Sequence, residues 1–164
     1  RVFAHNVECV PRLDRTVRDS RASFQQSLRI LEQAKILRPD ILTKTSIMVG
    51  LGEGDEEVEE ALRMIHDARV DMVTIGQYLQ PSYKHLPVDR FPEPERFADW
   101  DEVAREIGFG AVASGPLVRS SYRAGMLWDE AMGGEPVVTR DSTGSAVSHL
   151  ISGEEIITAR GQMS

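Results

Sequence analysis

Short runs of β-branched and apolar residues alternate along the chain with longer stretches whose apolar positions recur at helical spacing. The first run, Val2-Phe3-Ala4-His5-Asn6-Val7, predicts a strand. From Ser23 the period changes: Phe24, Leu28, Leu31 and Ala34 fall on one helical face, with Ile30 and Leu37 widening it, until Pro39 stops the helix. Thr43 to Val49 predicts a second strand. It enters a turn punctuated by Gly50, Gly52 and Gly54, where positive φ values and close backbone approach are expected. Val58, Ala61, Leu62 and Ile65 then stand at i, i+3, i+4 and i+7, and Glu56 and Glu57 occupy the first turn of that helix, where a carboxylate complements the helix dipole. Val70 to Leu79 is a third strand. Pro94 opens a helix with the stripe Phe97, Trp100, Val103, Ala104 and Ile107, and Gly108 is placed to end it in a left-handed cap. Phe109 to Ser114 makes a last short strand, and a helix is expected from Ala124.

Alternation of strand and helix predicts a parallel sheet flanked by helices. Three and a half such units are about half of a barrel that needs ~250 residues for eight. The expected fold class is therefore α/β: part of a (β/α) TIM-type barrel with parallel strands, about half of it present. From Gly133 onward Thr, Ser and Gly dominate, which divides the chain into a folded unit at 1–132 and a flexible or atypical tail at 133–164.

In such folds ligands bind beyond the carboxyl ends of the strands. The Gly50-Leu51-Gly52-Glu53-Gly54-Asp55 turn is neither a P-loop, lacking Gly-Lys-Ser/Thr, nor a dinucleotide fingerprint. Four carboxylates between Glu53 and Glu57 would repel a phosphate, so a ligand with a positive or donating end suits the turn better; the plain alternative is a solvated helix start. His5, Asn6 and Glu8 end the first strand with groups able to bond a ribose or amino group, or simply to make a turn. Of the arginines at 12, 15, 18 and 21, one can clamp a carboxylate in bidentate fashion while the rest are surface. His85 has no second ligand at metal spacing, and Ser120 and Ser121 by default cap the helix that follows.

Composition narrows the field. Apolar residues make up 41% and charged residues 27%, ordinary for a globular protein, and a net charge of −7 argues against nucleic acid or an anionic membrane as partner. No transmembrane run or signal peptide is evident, which points away from secretion. The single cysteine, Cys9, excludes an internal disulfide and any all-cysteine metal or iron–sulfur site built by this chain alone. The chain begins at Arg1 in a strand-like segment and is expected to be the carboxyl-terminal part of something longer.

Six ordered segments resemble the carboxyl-terminal half of lipoyl synthase, a radical S-adenosylmethionine family. They are His5-Asn6-Val7-Glu8; Val17-Arg18-Asp19 with Phe24-Gln25-Gln26-Ser27-Leu28; Thr43 to Glu53; Gly76-Gln77-Tyr78-Leu79-Gln80-Pro81-Ser82; His85-Leu86; and Ala113-Ser114-Gly115-Pro116-Leu117-Val118-Arg119-Ser120-Ser121-Tyr122. The resemblance covers roughly residues 1 to 128. It implies a sulfurtransferase that inserts sulfur at C6 and C8 of an octanoyl group carried on a lipoyl-carrier domain or the glycine cleavage H protein. It also implies two 4Fe–4S clusters, S-adenosylmethionine and an electron donor such as ferredoxin or flavodoxin. By this likeness Asn6 and Glu8 contact ribose or the amino group, and Arg18 the methionyl carboxylate. Gly50, Gly52 and Glu53 let the ligand approach backbone, Gln77, Leu79 and Gln80 line the adenine side, and Ser121 or Ser120 ligates the auxiliary cluster. The compartment implied is bacterial cytoplasm or an organelle interior, mitochondrion or plastid. Departures are Cys9 in place of threonine, Gly54 in place of a capping threonine, and the absence of both cysteine triads, so this chain alone is expected to be inactive without a missing amino-terminal half. The alternative is a non-catalytic fragment serving as a binding or structural module. A phosphate-binding aldolase is disfavoured by the acidic turn.

Overall fold

The computed structural model describes residues 1–121 and 124–133. The tail at 133–164 lies, Gly133 apart, outside the described residues, as does Tyr122. Four strands, β1 (Val2–Ala4), β2 (Leu42–Val49), β3 (Met72–Gln77) and β4 (Ala111–Gly115), form one parallel sheet in the order β1-β2-β3-β4. Sequential order without reversal is consistent with part of a barrel wall. Among the described residues the sheet is open. Helices α1 (Asp14–Val17), α2 (Phe24–Leu37), α3 (Asp55–Asp67) and α4 (Pro94–Ile107) lie between strands, and α5 (Ala124–Ala131) follows β4.

Residues paired in parallel register share a face of the sheet. Ile47 and Val49 of β2, Val73 and Ile75 of β3 and Val112 of β4 turn to one face. There they join Phe24, Leu28 and Leu31 of α2, Val58, Ala61, Leu62 and Ile65 of α3, and Phe97, Trp100 and Ala104 of α4 in one core. Each fully buried Val, Leu or Ile adds about 1.5–3 kcal/mol. The other, inner face carries Lys44, Ser46 and Met48, Met72, Thr74 and Gly76, and Ala111, Ala113 and Gly115. Leu127 of α5 covers its lower part against Met72 and Ala111.

Several boundaries and packings differ from expectation. The first strand stops at Ala4 because the Thr45 hydroxyl, not a backbone carbonyl, accepts from Val7 N–H at 3.1 Å. Pairing resumes only at Glu8 opposite Ile47, so four residues span three of β2, a bulge. Met72–Gln77 and Ala111–Gly115 are shorter than, or shifted from, the runs read from sequence. The stretch from Pro11, where no apolar period predicted an element, forms a 3-10 turn, Pro11–Leu13, and then α1. On α2 the Ser23 hydroxyl caps the start by accepting from Gln26 N–H, but Ile30 and Leu37 are exposed, Leu37 at 75%. Pro94 and Gly108 sit at the positions expected of them.

The glycine turn also departs in part. Gly50 and Gly52 have φ of 95° and 105°, whereas Gly54, at −85°, is the extended N-cap of α3. Lacking a side chain, Gly54 cannot complete a capping box, but the Glu57 carboxylate accepts its N–H at 2.8 Å, one half of that motif. Arg12 grips the same carboxylate through Nε at 2.7 Å and Nη2 at 2.9 Å. These bonds, Arg12 first, hold the Glu57 carboxyl down at about 2 against an ordinary 4.5. A depressed folded value stabilises above pH 4.5, and that contribution is lost as pH falls towards 2. Glu57→Gln should therefore lower the urea midpoint near neutral pH, and the gap from the parent should close across that acid window.

Candidate functional site

Parallel strands bring their carboxyl ends to one rim, and the rim segments are used in two ways. One group is closed on itself. Glu53 turns inward, fully buried, and accepts from the N–H groups of Gly50 at 2.6 Å and Leu51 at 2.9 Å. The acidic charge beyond it is neutralised from within: Arg90 meets Asp55 at 2.7 Å and Glu53 at 3.6 Å, Arg96 meets Asp55 at 3.1 Å, and Arg12 holds Glu57. Of its four carboxylates only the exposed Glu56 meets no partner among the described residues, so the turn does not present the cluster of free carboxylates expected of a cation-seeking loop. Gln77 is likewise committed, donating to the carbonyls of Tyr78 and Arg90 across Gly50, where any Cβ would collide with its amide at 2.3 Å. Leu79 and Gln80 are exposed further along, and Gln80 donates to the His85 carbonyl.

The other group stays open. Ala4, His5, Asn6, Glu8, Arg18, Lys44, Ser120 and Ser121 line a cleft of about 430 Å³, within the size range of small-ligand sites. Five of the residues read from sequence, Asn6, Glu8, Arg18, Ser120 and Ser121, meet here; Gly50, Gly52, Glu53, Gln77, Leu79 and Gln80 do not line it.

Each lining group is held by the fold. Glu8 adopts a left-handed φ of 70°, disfavoured by about 1–2 kcal/mol for a residue with a Cβ. It is kept there by two bonds to β2, its N–H to Ser46 O at 3.2 Å and its carbonyl from Met48 N–H at 2.8 Å. Such enforced strain is typical of binding sites. Arg18 ends α1 with its side chain only 9% exposed; Nη2 donates to the Ser27 hydroxyl at 3.0 Å, while Nη1 stands 4.0 Å from Asp14 and makes no hydrogen bond among the described residues. Asp14 in turn accepts from Phe24 N–H at 2.7 Å, tying α1 to α2.

The chain after β4 folds back across the inner face. Val118 crosses over Gly76, where an added Cβ would lie 2.2 Å from the Val118 carbonyl. Beyond it, the ammonium of Lys44 reaches from β2 to the Ser120 carbonyl at 2.6 Å. Lys44 is 4% exposed, its pKa is lowered by burial, and among the described residues it meets no carboxylate. Sequence reasoning missed it; the available signal was one lysine in an otherwise uncharged strand, where buried lysine is rare. Cys9 adjoins the site but is fully buried, and desolvation pushes its thiol up to about 12, which keeps it from reacting as a thiolate. Among the described residues no three His, Cys, Asp or Glu side chains gather to hold a metal ion.

Relatives of high overall identity exist. The mitochondrial lipoyl synthase of Bos taurus is 56% identical over 124 residues, 76% of this chain and 33% of the relative. Over three quarters or more of its length the chain is homologous to lipoyl synthases. The human mitochondrial lipoyl synthase is 55% identical over the same length, and lipoyl synthase 1, chloroplastic, of Populus trichocarpa is 57% identical over 136 residues, 83% of this chain and 36% of the relative. The chain thus spans about a third of the length of the curated lipoyl synthases it matches. No family model matches it.

The contact over Gly76 gives a direct check on the route of this segment. Gly76→Ala should destabilise the protein by about 1–3 kcal/mol in denaturant titration, because the Val118 backbone has no flexible side chain to yield.

Proposed function

We propose that this chain is the part of a lipoyl synthase that supplies one wall of the S-adenosylmethionine site and the serine turn facing the auxiliary cluster. The observation that carries the reading is the convergence of Asn6, Glu8, Arg18, Ser120 and Ser121 on one cleft from segments more than a hundred residues apart. S-adenosylmethionine carries a carboxylate, an ammonium, a sulfonium and a ribose. The cleft offers the Arg18 guanidinium, whose Nη1 makes no hydrogen bond among the described residues, for the carboxylate, and the Glu8 carboxylate and Asn6 amide for the amino group or ribose hydroxyls. Both signs of charge in one pocket fit a zwitterion better than a phosphate.

The residues present do not fit an iron–sulfur cluster as a complete ligand set. The one cysteine is sealed in the core, and the cleft contributes at most a serine oxygen. Cysteine ligands for both 4Fe–4S clusters must come from outside this chain. Clusters and S-adenosylmethionine, when bound, would supply the radical and sulfur chemistry directed at C6 and C8 of a protein-bound octanoyl group. Within that chemistry the chain's own residues bind and orient: Arg18 and Glu8 fix the two ends of the methionyl group, and Ser121, or Ser120, offers an oxygen ligand weaker than a thiolate, suited to a cluster that is dismantled. The substrate is the octanoylated carrier domain or H protein, the electron donor a ferredoxin or flavodoxin, and the compartment an organelle interior, in keeping with the mitochondrial and chloroplastic relatives. A second reading, a non-catalytic fragment, is favoured by the absent cysteines alone.

Calorimetric titration of S-adenosylmethionine tests the first wall. Arg18→Ala should raise Kd about tenfold to a hundredfold, with Arg18→Lys intermediate; an unchanged Kd in a folded Arg18→Ala variant removes the assignment. In protein joined to a cluster-bearing half, Ser121→Ala should spare cleavage of S-adenosylmethionine and abolish lipoyl product, and parental yield from that variant would exclude Ser121 as the ligand.

A further inference from the structure

The turn that ends in Ser120 and Ser121 is fixed from outside itself. Gly76 on β3 gives the Val118 carbonyl its room, and Lys44 on β2 binds the Ser120 carbonyl across 76 residues of sequence. Lys44 is an expensive way to fill that position: an apolar side chain of similar length would pack without desolvating an ammonium. Its stem starts low on the inner face, level with Ala4 and Met72, and its head surfaces in the cleft between Glu8 and the serines. What a lysine adds there, and a methionine does not, is a short charge-assisted bond to one particular carbonyl.

We propose that Lys44 is a positioning residue that latches the Ser120 carbonyl and so sets the direction in which the Ser120 and Ser121 hydroxyls meet a ligand. The inference rests on the reading above of these serines as the oxygen ligands. The Ser120 carbonyl and the Ser121 nitrogen share one planar peptide unit, so holding that oxygen fixes the plane from which the Ser121 side chain departs. Ser120 and Ser121 are exposed; among the described residues the side-chain bond to Ser120 itself is that of Lys44, and one residue earlier Arg119 Nη1 donates to the Gln77 carbonyl of β3 at 3.5 Å. The latch therefore acts on a segment with little packing of its own.

The first arm of the test is amide hydrogen exchange on the 164-residue chain. Rates at residues 119–121 are referred to those of β3 in the same sample, so that a general loss of stability cancels. Lys44→Met is expected to raise the referred rate about tenfold, and Lys44→Arg, which keeps a charged donor, to return it most of the way. An unchanged referred rate in Lys44→Met overturns the latch. Should that variant fail to fold, Lys44→Gln, too short to span the gap, takes its place with the same expectation. The second arm uses protein carrying both clusters: Lys44→Met is expected to alter the Mössbauer signature of the serine-bound iron, and Lys44→Arg to restore it. A loosened turn with an unaltered signature overturns the positioning role. A wild-type protein that shows no serine-bound iron and no S-adenosylmethionine binding would instead sink the functional reading, and the exchange arm alone would then decide the latch.

Discussion

The structure depends on the two-residue alternation of side chains along β2. In a parallel ladder, neighbours in register face the same way, so placing Ile47 and Val49 under the helices sends Lys44, Ser46 and Met48 to the opposite side and fixes the faces of β3 and β4 as well. A slip of one residue would thrust the Lys44 ammonium beneath α2 to α4 and expose Ile47 to the cleft. Burying an unpaired charge among apolar side chains is far costlier than any gain in pairing. The same alternation thus builds the core on one face and the polar cleft on the other, and neither can be altered without the other.

The cleft also needs the sheet to be crossed. Strands β1 and β4 are three steps apart, about 14 Å at the usual strand spacing, yet residues that follow each of them line one pocket. The segment after β4 covers that distance by running back over the inner face, past Gly76 on β3 and Lys44 on β2. The Gly50 turn takes the opposite course. Its carboxylates, the exposed Glu56 apart, are consumed by Arg12, Arg90, Arg96 and its own amides, which makes it a rigid floor and not a docking group.

Much of this was legible in the sequence where the cause is local. The α3 stripe is fully buried as its spacing implied, the Ser23 cap and the Pro94 and Gly108 ends fall where backbone preference puts them, and parallel strand order gathers the polar strand ends on one rim. Reading failed where a distant partner decides. The Thr45 hydroxyl that cuts β1 short lies 38 positions from Val7, and the Lys44 bond spans twice that. Glu53 is a different case: the partners that turn it inward, Gly50 and Leu51, lie only three and two residues back, but it is the left-handed backbone at Gly50 and Gly52 that brings their amides to its carboxylate. Ile30 and Leu37 fit the α2 pattern by period, yet nothing in the described residues stands opposite them.

Cys9 sits on the far side of Glu8, wholly enclosed, with a thiol that stays protonated at any physiological pH. It is the chain's one sulfhydryl. Folded, the chain therefore presents no thiolate to metal ions, electrophiles or oxidants in the surrounding solution.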